Sequence, residues 1–136
     1  VADKLHFELV SPEKLIMSTD VDMVVVPGVE GDFGVLTGHA AVVSTLRTGI
    51  MEVHDGDAPQ RLLVCGGFAE VNANGLTILA EEATPLADVN RAQLEAALKD
   101  AEEDVADAKD EEQSTRAEKS RDQLLAILDV LDRQAA

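Results

Sequence analysis

The chain has 136 residues, with 27 Asp plus Glu against 11 Lys plus Arg and a formal net charge of -16. That balance excludes autonomous binding to nucleic acid or to an anionic membrane, both of which need positive charge facing phosphate. A hydrophobic fraction of 46% supplies a core, while 3 Phe and no Trp or Tyr argue against a sugar or single-strand binder that stacks its ligand on rings.

Leu5, Phe7 and Leu9 alternate with Lys4, His6 and Glu8, the pattern of a half-buried strand. Ser11-Pro12 turns the chain into a second predicted strand over 15–19. Residues 21–26 are a nearly continuous β-branched run, as in a strand covered on both faces. Residues 27–40 then hold four glycines in fourteen positions and read as a run of β-turns from which Glu30 and Asp32 project. Strands over 50–54 and 61–65 flank Asp55-Gly56-Asp57-Ala58-Pro59, a hairpin with a longer loop. Strands over 68–71 and 76–80 flank Asn74-Gly75, a tight-hairpin signal because both residues tolerate positive φ. Short strands at this spacing imply an antiparallel sandwich or barrel.

All 9 Gly and all 4 Pro fall at or before Pro85, so the chain divides into a turn-rich part, 1–86, and an uninterrupted part, 87–136. Charge divides more evenly: 13 acids and 4 bases in the first part, 14 acids and 7 bases in the second. In the second part Leu94, Leu98, Ala101, Val105 and Ala108 recur at helical spacing, with Asp88 as the predicted N-cap. A polar stretch, Lys109-Asp110-Glu111-Glu112-Gln113, interrupts the stripe. Ser114 or Thr115 then starts a second helix carrying Leu124, Leu128, Leu131 and Ala135. Two helices of about 20 residues, each roughly 30 Å long, with a short connector suit an antiparallel hairpin. The Ala-rich first stripe buries little, so the hairpin is expected to be marginally stable alone.

A single cysteine, Cys65, excludes an intrachain disulfide framework and fits a reducing compartment. No apolar run approaches the ~18–20 residues that span a bilayer. The start, Val1-Ala2-Asp3-Lys4, has no signal-peptide core, so membrane association is expected only through a protein partner. His6, His39 and His54 lie on separate elements without a metal-ligand spacing, and no metal site is expected. Ser44, His39 and Asp32 make a nucleophile–base–acid set on paper only, without a nucleophile elbow. Asp32-Phe33-Gly34 matches a kinase tripeptide by chance, and no phosphate-binding glycine loop occurs. Composition and spacing leave open an interaction scaffold with an acidic hairpin, or a small hydrolase using His39.

The glycine-rich segment narrows this. Glu30-Gly31-Asp32-Phe33-Gly34-Val35-Leu36-Thr37-Gly38-His39-Ala40 resembles the E-G-x-x-G-x-x-x-G-H-A signature of the ε subunit of F-type ATP synthases, the counterpart of mitochondrial δ. Gly66-Gly67-Phe68-Ala69-Glu70-Val71 resembles the family's S-G-G-x-x-E-V strand, with Cys65 where Ser is commoner, and Leu79-Ala80-Glu81-Glu82-Ala83 resembles the strand after it. Asp88-x-x-Arg91-Ala92 belongs to the same ordered set, which runs the length of the chain.

The resemblance implies a β-sandwich of about ten strands followed by a two-helix hairpin. It also implies a non-catalytic rotor subunit that binds the gamma subunit, rests on the membrane c-subunit ring and transiently meets the alpha/beta catalytic head. The expected location is the cytoplasmic face of the bacterial inner membrane, with no lipid insertion. Glu30, Asp32 and His39 match the loop facing the c ring and gamma, where acidic charge would complement the commonly basic c-subunit loop. Asp88 and Arg91 match a nucleotide motif in those relatives that bind ATP, which makes ATP a candidate regulatory ligand; Ala87 departs from that motif, and plain helix capping is the favoured reading. No other cofactor is implied. Residues 122–136 offer only Arg133 as a base against Asp122, Asp129 and Asp132, so weak inhibition of ATP hydrolysis is expected.

Overall fold

The computed structural model describes residues 3–135, so Val1 and Ala2 of the N-terminal start lie outside the described residues. The chain divides into two compact units, with the boundary between Asp88 and Val89.

The first unit is all β. Its strands are β1 (Leu5–Val10), β2 (Leu15–Val21), β3 (Met23–Gly28), β4 (Gly31–Val35), β5 (Val42–Thr45), β6 (Gly49–His54), β7 (Gln60–Asn72) and β8 (Gly75–Pro85). The order is β2-β1-β8-β7-β6-β3-β4, with β5 also pairing β7. Neighbours are antiparallel except β1 and β8, which run parallel. The alternation at Leu5, Phe7 and Leu9 is real: all three are buried.

The two long strands make the sandwich. Segments predicted separately over 61–65 and 68–71 are one strand, β7, bent at Gly66-Gly67. The β7–β8 ladder runs from Leu62↔Pro85 to Asn72↔Gly75 and skips only the Gly66–Glu81 position. Gly66 and Gly67 both have positive φ, and a Cβ on Gly67 would collide with the Leu79 carbonyl oxygen, so the bend requires glycine there. The first half of β7 pairs β6, the second half pairs β5, and the start of β8 pairs β1. Each long strand therefore contributes to both layers. Among the described residues there are eight strands where the resemblance implies ten; counting the halves of β7 and β8 separately accounts for the difference.

Between the layers lies an aliphatic core that includes Phe7, Leu9, Val24, Val26, Met51, Val64, Val71 and Ile78. The run over 21–26 is interrupted at exposed Asp22, where β2 ends and β3 begins; Val24 and Val26 face the core, while Met23 and Val25 are half-buried. The β7–β8 turn is Ala73-Asn74, and only Gly75 there has positive φ. Asn74 keeps negative φ, and the Asn72 side chain accepts from its N–H at 2.8 Å.

The second unit holds α1 (Arg91–Asp107) and α2 (Glu111–Ala135). The predicted stripe is the seam: Leu94, Leu98, Val105 and Ala108 are half-buried and Ala101 is buried. On α2, Leu128 is buried and Leu124 and Leu131 half-buried, while the side chain of Ala135 lies outside the described set. The caps differ from expectation. Asp88 ends a 3-10 turn over Leu86–Asp88, and Asn90 caps α1 by accepting from Gln93 N–H at 3.1 Å. Asp110, not Ser114 or Thr115, caps α2, accepting from Gln113 N–H at 2.8 Å. The polar stretch read as connector is therefore mostly the first turn of α2, where Glu111 and Glu112 suit the positive helix end.

Candidate functional site

The glycine-rich segment folds as an edge hairpin, β3–β4, not as a run of turns. Its tip is Val29-Glu30, closed by the Gly28↔Gly31 pair. Gly28 has no room for a Cβ, with Gly31 O at 2.9 Å and the Phe33 ring at 3.0 Å, and Gly31 has φ 133. Glu30 is exposed and, among the described residues, has no hydrogen bond or ion pair.

Asp32 is different. Its carboxylate accepts from Arg47 Nη2 at 2.5 Å, and Arg47 Nη1 donates to Gly28 O at 2.6 Å. Arg47, which the sequence reading did not single out, therefore holds both limbs of the hairpin. The signal available was its scarcity, as one of four bases in the first 86 residues.

His39 lies elsewhere. The five residues of β4 span roughly 16 Å between the Glu30 tip and the loop that begins at Leu36. His39 Nδ1 is 2.7 Å from Ala40 O, so that nitrogen carries the proton and donates. The ring lines a recess of about 310 Å³ with Lys4, His6, Thr37, Asn72 and Asn74. Glu30 and Asp32 thus share one end of β4, and His39 belongs to the other. The paper triad is not assembled either: Ser44 Oγ donates to Thr45 O, while His39 and Asp32 have the partners just named.

Several other charged groups of the first unit are paired. His6 Nδ1 lies 2.9 Å from Asp20, whose carboxylate raises the His6 pKa above the ordinary histidine value, with Glu8 adding to the effect. Lys4 bridges Asp22 at 2.8 Å and Asp55 at 2.6 Å. The Asp22 carboxyl is held below its usual range by Lys4 and by the Gly56 N–H. His54 sits against Glu52, which Arg61 and then His54 hold low.

In the second unit Arg91 is engaged by carboxylates. Its Nε donates to Glu95 at 3.0 Å and its Nη2 to Asp132 at 2.5 Å, joining the start of α1 to the end of α2. Asp88 is exposed at the end of the 3-10 turn.

One surface feature went unread in the sequence. Phe68 pairs Leu79 in register, Leu79 pairs Val10, and Val10 pairs Leu15. These four form an apolar row across β7, β8, β1 and β2 on the face away from the core. Phe68 is 53% exposed, Leu79 51% and Leu15 56%. The next row, Glu70–Thr77–Glu8, carries acids beside it. Single exposed apolar residues are ordinary, whereas a contiguous row marks a surface meant to be covered. The outward positions of 68–71 and 76–80 held the clue, since a solvated face would alternate to polar at Phe68 and Leu79.

Comparison with known proteins is consistent across both units. A family model described as the β-sandwich domain of the ATP synthase delta/epsilon chain matches residues 4–86. The chain is similar to the ATP synthase epsilon chain of Parvibaculum lavamentivorans, 53% identical over 125 residues that cover 91% of this chain and 95% of that one. It is 55% identical over 117 residues to the epsilon chain of Maricaulis maris, covering 86% and 88% respectively. Among solved structures, a chain of Euglena gracilis mitochondrial ATP synthase, in an OSCP/F1/c-ring assembly, matches 100% of this chain and 84% of its own length, with TM-score 0.76 and 28% identity. A chain from the central stalk/c-ring of the Tetrahymena thermophila enzyme shares the fold, with TM-score 0.61, 16% identity, and coverage of 94% and 96%.

Proposed function

The chain belongs to the ATP synthase epsilon-chain family, and on that premise we propose that it is a non-catalytic rotor subunit of the central stalk, coupling proton flow through the c ring to the catalytic head. The observation that carries this reading is the outward row Phe68–Leu79–Val10–Leu15, exposed at Phe68, Leu79 and Leu15 and bordered by Glu8 and Glu70. Such a face fits a protein partner that is apolar at its centre and basic at its rim, and the stalk partner assigned to it is the gamma subunit. The acidic tip at Glu30 is assigned to the c-subunit ring, whose loop would supply the complementary charge. Contact with the alpha/beta head is transient and runs through the hairpin.

The subunit is peripheral, on the cytoplasmic face of the bacterial inner membrane. No helix among the described residues is long and apolar enough to cross a membrane. Arg91 is assigned to holding the hairpin together, not to a nucleotide, a reading supported by its ion pairs with Glu95 and Asp132. Calorimetric titration of the whole chain with ATP, expected to show no sub-millimolar binding, checks that assignment. The hairpin is a weak regulator: Arg133, the base nearest its end, is already paired with Asp129 at 3.1 Å.

The test is assembly. Phe68→Ser with Leu79→Ser leaves the buried core untouched, so the chain should fold with unchanged far-ultraviolet circular dichroism yet fail to co-purify with the rotary complex. A folded double variant that co-purifies normally and supports full proton pumping would overturn the reading. Removing residues 87–136 should raise ATP hydrolysis by less than about twofold, consistent with exposed charge pairs that each contribute ~0–1 kcal/mol.

A further inference from the structure

The geometry points to Arg47 as the positioning residue of the β3–β4 tip, holding the hairpin so that Glu30, and not Asp32, is the carboxylate offered to the basic partner. This rests on the reading above that the tip faces such a partner. The tip needs an external brace. It leads into β4, an edge strand paired only with β3 among the described residues, and it is bounded by Gly28 and Gly31, which add backbone freedom to a two-residue turn.

The brace comes from the end of β5 and the residues after it. Val29 N–H donates to Thr45 O at 3.0 Å, Arg47 N–H donates to Pro27 O at 3.0 Å, and Gly28 bridges Leu46. These bonds fix the β3 limb and the first tip residue and leave Glu30 and β4 to the pairing of β4 with β3. The Arg47 guanidinium completes the restraint by spanning the limbs, from Gly28 O on β3 to the Asp32 carboxylate on β4. The planar guanidinium fork holds the carbonyl and the carboxylate at a fixed mutual geometry; an ammonium can reach two acceptors but is a point charge without that fixed geometry.

The consequence is a division of labour between two acids that the sequence presents as equivalent. The charge of Asp32 is matched inside the molecule by Arg47. Glu30, with no partner among the described residues, is the carboxylate that a basic surface meets first. Arg47 has no hydrogen bond to Glu30, and the bonded route between them runs through the backbone of the tip.

A mutant cycle in the reconstituted full complex tests this, with coupled proton pumping and the affinity of the chain for the membrane sector as readouts. Glu30→Gln should weaken affinity about two- to fivefold. In an Arg47→Gln background the same change should have almost no further effect, and Asp32→Asn should reproduce the Arg47→Gln background from the other side of the brace. Arg47→Lys, which keeps the charge and loses the fork, should fall between wild type and Arg47→Gln. Non-additivity that persists in part with Arg47→Lys, which keeps the charge, is the signature of positioning, and a generalised loss of stability would not produce it.

An equal Glu30→Gln effect with and without Arg47 would overturn the inference while leaving the partner assignment intact. A Glu30→Gln variant that pumps and binds like wild type in every background would instead sink the assignment of the tip to a basic partner. In the free full chain, amide shifts at residues 29–31 should move in both Arg47→Gln and Asp32→Asn. Unmoved shifts would remove the brace itself.

Discussion

The two units of this chain are held together in different ways. Among the described residues the sandwich closes over seventeen buried apolar side chains in one cluster, drawn from β1, β2, β3, β4, β6, β7 and β8 and from Leu46. Among its described residues the hairpin buries only Ala101, Ala117, Ile127 and Leu128, with the rest of its seam half-exposed. Its added hold is polar: the Asn90 and Asp110 caps and the Arg91–Asp132 pair between helices. Apolar burial scales with area removed from water, whereas exposed ion pairs give little and are screened by salt. The sandwich is thus built to persist, and the hairpin to hold one arrangement by a small margin.

The largest test of that contrast is Phe7→Ala. Phe7 is 0% exposed in the sandwich core, and its loss should cost about 3–5 kcal/mol, seen as a much lower urea midpoint for the first unit. If the hairpin's helical signal survives where the sandwich has unfolded, the two units are energetically separate; a single shared transition would erase the distinction.

Leu128→Ala comes next. Leu128 is 9% exposed, and truncation should cost about 2 kcal/mol. Because the hairpin's margin is small, far-ultraviolet helicity at 25 °C should fall visibly while the sandwich transition stays in place. Unchanged helicity would mean that the seam is stronger than its burial indicates.

The smallest effect is a pH difference between the units. All three histidines, His6, His39 and His54, are in the sandwich, and the hairpin has none. His6 has a raised pKa, chiefly through Asp20 and then Glu8. Its contribution is fully present below the unfolded value near 6.5 and is lost as pH rises through the higher folded value. Raising pH from 6 to 9 should slightly lower the sandwich's melting temperature, and His6→Gln should flatten that slope. A slope of the same size in the hairpin's transition would contradict the assignment to His6.

What could be read from residues alone follows from range. Leu5, Phe7 and Leu9, and the stripe from Leu94 to Ala108, were legible because strand and helix periodicity are local. Strands β4 and β5 were not, since one is glycine-rich and the other has four residues with mostly exposed side chains. The α1 cap moved from Asp88 to Asn90 because the chain after Pro85 first makes a 3-10 turn, which spacing does not reveal. In the site, Glu30 was legible as an acid on a glycine-flanked turn. The partnership of Asp32 with Arg47 spans fifteen residues and depends on tertiary pairing. For the same reason, a contiguous motif did not reveal that His39 lies at the far end of a strand from Glu30.

The bend at Gly66-Gly67 also has a mechanical meaning. The layers of many sandwiches touch only through side chains and can slide under load. Here β7 and β8 cross together from one layer to the other, joined by ten backbone pairs in all, four before the bend and six after it. Sliding one layer over the other would have to shear that ladder along its length or pull on covalent chain, instead of parting van der Waals contacts a few at a time. A twisting force applied to one face therefore reaches the other through the backbone, and the first unit answers torque as one elastic body.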